Sequence, residues 1–170
     1  MQIQGSYTFE YDQQAVWNIL MNPDAIAKAI PGVKEMVPLE GETYAWRAIA
    51  KIGVASVSGT YSGIIRMTEI EAPDRYRLTA EGEGQQSVIN GTALITMQPA
   101  QEAGKTVVVW DAEASLAGKL ASIAQRLIKS AAGLLSRQFF GGLAKQLKAA
   151  EKEAKTVPAA TSSHSMAGES

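Results

Sequence analysis

The 170 residues carry 46% hydrophobic and 19% charged side chains, enough for one ordinary hydrophobic core, so a single domain is expected. Sixteen Lys plus Arg against seventeen Asp plus Glu leave a formal net charge of -1, which excludes a global attraction to nucleic acid or to an acidic membrane surface. The absence of Cys and the single His164 exclude disulfides, thiolate nucleophiles, sulfur-based zinc sites and multi-histidine metal sites, so no metal or cofactor is expected.

The first residues, MQIQGSYTFEYD, lack a basic patch followed by an apolar core, and no apolar run approaches the roughly 20 residues that span a bilayer. The expected location is the cytoplasm. Residues 2 to 11 alternate, with Ile3, Gly5, Tyr7, Phe9 and Tyr11 on one face, which predicts a half-buried strand. Asp12 can cap a helix carrying Ala15, Val16, Ile19 and Leu20; Asn22-Pro23-Asp24 ends it and starts a second short helix, stopped by Pro31-Gly32.

Strand signals follow at 33–39, 43–52, 56–70, 75–83, 87–98 and 105–116, separated by gaps short enough for hairpins. A meander of antiparallel strands is the economical arrangement, because parallel pairing needs long crossovers. From Leu116 to about Ala154 the spacing predicts one long helix whose stripe Leu116, Leu120, Ile123, Leu127, Ala131, Leu134 and Leu135 packs on the sheet. Beyond it Phe139, Phe140, Leu143 and Leu147 rotate off that stripe, and Gly141-Gly142 marks a weak point, so the last turns are expected to bend or expose apolar surface. Residues 155–170 have no periodicity that could bury them and are expected to form a disordered tail behind a domain at 1–154.

This order of elements is that of the α+β helix-grip fold of the START-like (SRPBCC) superfamily: a curved antiparallel sheet wrapped around a long C-terminal helix, with two short helices after the first strand. Within it the chain resembles the CoxG family of carbon monoxide dehydrogenase subunits. The matching words are IQGSYTF at 3–9, Val16-Trp17 with Leu20, Asn22-Pro23, Ile30-Pro31-Gly32, GTYSG at 59–63 and GEGQQSVING at 82–91. They continue with Gly118-Lys119-Leu120-Ala121, Gln125-Arg126-Leu127-Ile128 and Phe139-Phe140, over about residues 1 to 148. The resemblance implies a non-catalytic accessory protein of a molybdenum hydroxylase such as carbon monoxide dehydrogenase, coupling it to the membrane or the quinone pool. The apolar anchor carried by some members is not found in this sequence, which leaves peripheral contact with the inner face of the cell membrane or a soluble carrier role.

Alternation puts small residues on the inward faces of successive strands: Ala48 and Ala50, Gly59 and Gly63, Ala80 and Gly82, Gly91 and Ala93, Ala112 and Ala114. Beside them lie Trp46, Tyr61, Tyr76, Leu78, Ile89, Ile95, Met97, Val108 and Trp110. A surface small on both sides either lets the layers approach closely or leaves a hollow, and the residues alone leave both arrangements open. The resemblance implies the hollow, with an apolar guest such as an isoprenoid quinone. Its expected lining is Trp46, Tyr61, Tyr76, Leu78, Ile89, Gly91, Ala93, Ile95, Trp110 and Ala112 from the sheet, with Leu120, Ile123, Ala124, Leu127 and Ala131 from the helix. Stacking on an aromatic ring and a hydrogen bond from a tyrosine hydroxyl would hold a ring-shaped head. The breakers in Asn22 to Gly32 and Gly53 to Val57 suggest a mobile mouth.

No acidic residue lies between Glu113 and Glu151, whereas Lys119, Arg126, Lys129, Arg137, Lys145 and Lys148 give that segment +6. A basic amphipathic helix can rest on an anionic membrane or an acidic protein, and Arg137, Phe139, Phe140, Leu143, Lys145, Leu147 and Lys148 are the expected docking residues. The alternative is an assembly or docking factor for the same enzyme with a filled core and no ligand. Carboxylates for acid-base chemistry are poorly placed: the register that buries Trp110 and Leu78 turns Asp111, Glu113, Glu81 and Glu83 to solvent, and only the reverse register would bring Asp111 inside.

Overall fold

The computed structural model describes residues 1–169, with side chains for residues 1–154, so the expected tail at 155–170 lies outside the fully described residues. Seven strands form one antiparallel sheet: β1 (Gln2–Phe9), β2 (Val33–Pro38), β3 (Ala45–Ile52), β4 (Gly59–Glu71), β5 (Arg75–Gly84), β6 (Ser87–Pro99) and β7 (Thr106–Gly118). Their order is β1-β7-β6-β5-β4-β3-β2, so sequence neighbours pair from β2 to β7 and β1 closes against the last strand. The link from β1 to β2 crosses the sheet through α1 (Gln13–Leu20) and α2 (Pro23–Ala29).

Local chemistry sets both short helices. The Asp12 carboxylate accepts from the Ala15 N–H at 2.9 Å, and the Asn22 side chain accepts from the Asp24 and Ala25 N–H groups, with Pro23 in the first turn where a missing N–H costs nothing. Gly32, at φ 71°, ends this unit; its carbonyl accepts from the Lys51 N–H at 2.8 Å, and a Cβ there would lie 1.8 Å from the Lys51 carbonyl oxygen.

The third helix departs from its expected start. β7 runs on to Gly118, which turns the chain at φ 82°, and a short 3-10 turn (Lys119–Ser122) follows before α3 (Gln125–Glu169) begins. Leu116 is therefore a strand residue opposite Ile89, and Leu120 lies in the turn, its N–H donating to the Ser87 hydroxyl at 2.8 Å. The strand alternation Ala112, Ala114, Leu116 continues past the point where helical spacing takes over in the sequence, and the sheet hydrogen bonds win.

The buried stripe of α3 is also rotated from the expected one. Ile128, Ala131, Phe140 and Leu143 are buried, while Leu127 and Leu134 are 40% and 38% exposed. Phe140 stacks on Trp110 and packs edge-on against Phe9, and Gly142 lets α3 approach Ala29 of α2, where a Cβ would stand 3.4 Å from Ala29 Cα. The helix runs unbroken through Gly141-Gly142, and its apolar end is core instead of exposed surface. That core joins Phe9, Val16, Trp17, Leu20, Ile26, Trp46, Met67, Tyr76, Ile95, Met97, Val108, Phe140 and Leu143 at one end of the concave face.

Candidate functional site

Toward the other end of the concave face the sheet is not filled. Cross-strand register aligns Ala48, Gly63 and Gly82 in one row and Ala80, Gly91 and Ala114 in another, and every one of these six is only half-buried. The stacking of small residues expected from alternation is thus present. In the Phe140–Leu143 region of α3 the aromatic cluster reaches across to Tyr7, Phe9 and Trp110. Ala80, Gly91 and Ala114 instead border open space.

A separate apolar cavity of about 390 Å³ lies among the core side chains, and none of these six small residues lines it. Its floor is Met36, Trp46, Ile52, Ile65, Met67, Tyr76, Leu78, Ala93, Ile95 and Trp110; its roof is Leu135, Ser136, Phe139 and Phe140; Leu20, Ile26, Ile30 and Pro31 close one side. Tyr76, Ile95 and Trp110 stand in one cross-strand row, with Leu78 and Ala93 in the next. A broader cleft of about 660 Å³ lies along the continuation of the same floor, past Ala80, Gly91 and Ala114, under Leu116, Leu120 and Ile123. A third recess, of about 510 Å³, lies between Pro31-Gly32, the Gly53–Ala55 segment and Leu134, Leu135 and Gln138 of α3. Pro31 and Leu135 line both this recess and the cavity, so the two spaces adjoin beside the segments whose breakers suggest a mouth.

Of the expected lining, Trp46, Tyr76, Leu78, Ala93, Ile95 and Trp110 face the cavity, and Gly91, Leu120 and Ile123 face the neighbouring cleft. Tyr61 stands apart from both; its hydroxyl donates to the Val57 carbonyl at 2.6 Å and so ties β4 to the segment that precedes it. Ile89, Ala112, Ala124, Leu127 and Ala131 line neither space: Ala131 is buried in packing, Leu127 faces solvent because α3 is rotated, and Ala124 is exposed just before α3 begins. The contributions of α2 and of Leu135, Ser136, Phe139 and Phe140 are long-range consequences of that rotation and lie outside the expected set.

The docking set divides in the same way. Phe140 and Leu143 are core and cannot meet a partner, and Phe139 and Leu147 are half-buried against the core, whereas Arg137, Lys145 and Lys148 are exposed. The outward face of α3 instead shows Leu127 and Leu134, two turns apart, beside Arg126, Arg137, Lys145 and Lys148. None of the six cations between Glu113 and Glu151 forms an ion pair among the described residues.

Titratable groups avoid the cavity, with one exception. Asp111, Glu113, Glu81 and Glu83 are turned away from it, Asp111 accepting from the Gln2 side chain at 3.0 Å on the outer face. No cluster of His, Asp or Glu that could hold a metal occurs among the described residues. Tyr76 is the exception: it is 4% exposed, and burial pushes its hydroxyl pKa well above that of a free tyrosine, so it keeps its proton at neutral pH.

A curved seven-stranded sheet gripping a long helix, with an apolar space between them, defines a START-like helix-grip protein. A solved START superfamily protein from Mycobacterium smegmatis has this fold, with a TM-score of 0.62 at 11% identity over 86% of this chain and 97% of that one. The chain belongs to the CoxG family of carbon monoxide dehydrogenase subunits, whose profile matches residues 5–148. A conserved protein from Geobacillus kaustophilus of solved structure is similar at 32% identity, with a TM-score of 0.81, over 87% of this chain and 95% of that one. Comparison with curated proteins gives no match. Membership of this family and fold suggests an accessory role in binding a hydrophobic ligand. No helix among the described residues is long and apolar enough to cross a membrane.

Proposed function

We propose that this protein is a non-catalytic carrier of an apolar ring-plus-tail lipid, an isoprenoid quinone or a close analogue, and that it couples a molybdenum hydroxylase such as carbon monoxide dehydrogenase to the membrane quinone pool. The observation that carries this reading is the unfilled apolar cavity between the sheet and α3. An empty space lined by apolar groups forfeits dispersion contacts, a cost that a guest of matching chemistry removes. Trp46 and Phe139 bring aromatic rings to the cavity wall for a flat head, and the neighbouring cleft has room for a tail.

Family membership supports the partner class, and the outward face of α3 supports peripheral contact with an anionic bilayer on the cytoplasmic side. Exposed leucines among unpaired cations can insert between headgroups while the cations meet lipid phosphates. The same face would serve a ligand-free docking factor, the competing reading. Mass spectrometry of organic extracts of the purified protein separates the two: a stoichiometric prenylated species is expected, and an extract free of lipid would favour the docking factor.

A further inference from the structure

Tyr76 breaks the rule that a buried polar group finds a partner in the protein. Its ring is held edge-on by Trp17 of α1, with centroids 5.9 Å apart, and it lines the cavity floor beside Ile95. Its hydroxyl makes no hydrogen bond with any described residue. Yet no buried side-chain oxygen or nitrogen among the described residues is both sealed from all accessible space and unpaired. The hydroxyl therefore keeps some accessible surface, and Tyr76 is one of the residues that line the cavity. The other hydroxyl of the lining, Ser136, already donates to the Ala132 carbonyl at 2.7 Å.

We propose that the Tyr76 hydroxyl donates a hydrogen bond to a carbonyl oxygen of the bound molecule, making Tyr76 the residue that selects apolar ring ketones over hydrocarbons of the same shape. This rests on the carrier reading above and adds to it a chemical requirement on the guest: one acceptor, placed at the α1 end, on an otherwise apolar body. Tyr76 keeps its proton far above neutral pH, so the donor is permanent. The carbonyl end lies against Tyr76 and Ile95, and the hydrocarbon end extends away from them along the cavity. A guest without an acceptor would leave the hydroxyl desolvated and unpaired, a penalty that a matching ketone avoids.

The test uses the whole chain and two probes: a 1,4-naphthoquinone with a short prenyl tail, and the prenylated naphthalene that lacks the carbonyls. In the wild-type protein the infrared carbonyl stretch of the bound quinone should fall below its value in hexane. In Tyr76→Phe it should return to the hexane value, quinone affinity should drop on the order of tenfold, and naphthalene affinity should hold. An unshifted carbonyl in the wild type, with both probes bound equally well, overturns the role of Tyr76 and leaves the carrier reading standing. Failure of the wild type to bind either probe overturns both. The wild-type infrared measurement decides the matter even if the variant does not fold.

Discussion

The Trp110 indole and the Phe140 ring stack with centroids 4.8 Å apart and planes 16° from parallel, joining β7 to α3 at the edge of the cavity. The contact depends on Gly5 of β1, the strand partner of Trp110: a Cβ there would lie 2.4 Å from the indole Cζ2. Sheet, helix and cavity wall thus meet at one pair of rings whose position is set by a missing side chain.

Gly5→Ala should therefore push the indole against Phe140 or into the cavity. Overpacking of this kind costs about 1–3 kcal/mol. A chemical-denaturation midpoint should fall accordingly, and uptake of the prenylated naphthoquinone should weaken. An unchanged midpoint with unchanged uptake would mean that Trp110 is free to move aside.

The rotation of α3 makes Leu134 and Leu143, both on that helix, behave oppositely. Leu143 is fully buried and Leu134 is 38% exposed. Leu143→Ala should cost about 2–5 kcal/mol, and Leu134→Ala should stay within about 0.5 kcal/mol. Equal costs in urea unfolding would restore the stripe expected from the sequence.

Stability should decline at alkaline pH in a way traceable to Tyr76. Its pKa is raised in the folded state by burial, so the folded form holds the proton more tightly than the unfolded chain. That contribution is complete below the free tyrosine value of about 10 and is lost as pH rises above it, because only the unfolded chain then releases the proton readily. Denaturation midpoints of wild type and Tyr76→Phe should run parallel from about pH 7 to 9, and above about pH 10 the wild type should fall faster than the variant. Parallel curves throughout would place the hydroxyl in water.

Vesicles containing phosphatidylglycerol should bind the protein, and neutral phosphatidylcholine vesicles should bind it weakly. Arg137→Glu with Lys145→Glu should abolish the difference, and Leu134→Ser should reduce binding without changing its salt dependence. These side chains lie on the solvent face of α3, so circular dichroism should be unaltered. Equal binding to both vesicle types would remove the proposed membrane contact.

Much of the fold is legible because its signals are local. Period-two alternation places all seven strands, and Asp12 and Asn22 cap the helices that they precede. The rows of Ala48, Gly63 and Gly82 and of Ala80, Gly91 and Ala114 follow from alternation plus hairpin register. The rotation of α3 is not local. Ala131 and Leu135 fit both a stripe through Leu127 and Leu134 and a stripe through Ile128 and Phe139, so spacing cannot choose. Two sequence signals favour the second: adjacent phenylalanines with a large apolar payload, and Gly142, which suits close approach by another backbone. The same ambiguity hides the helix side of the cavity. Breakers mark Asn22 to Gly32 as a mouth, but Ile26 and Ile30 carry no local signal of a wall position, which they reach only through the tertiary packing of α2.

The most direct test of the carrier account is a fluorescence titration, since Trp46 and Trp110 line the cavity and report on its occupancy. Protein freed of lipid and titrated with the prenylated naphthoquinone should show saturable quenching at one equivalent. The effect should be lost in Ala93→Phe, which fills the floor beside Leu78. Linear, unsaturable quenching that is identical in the two proteins would contradict the account.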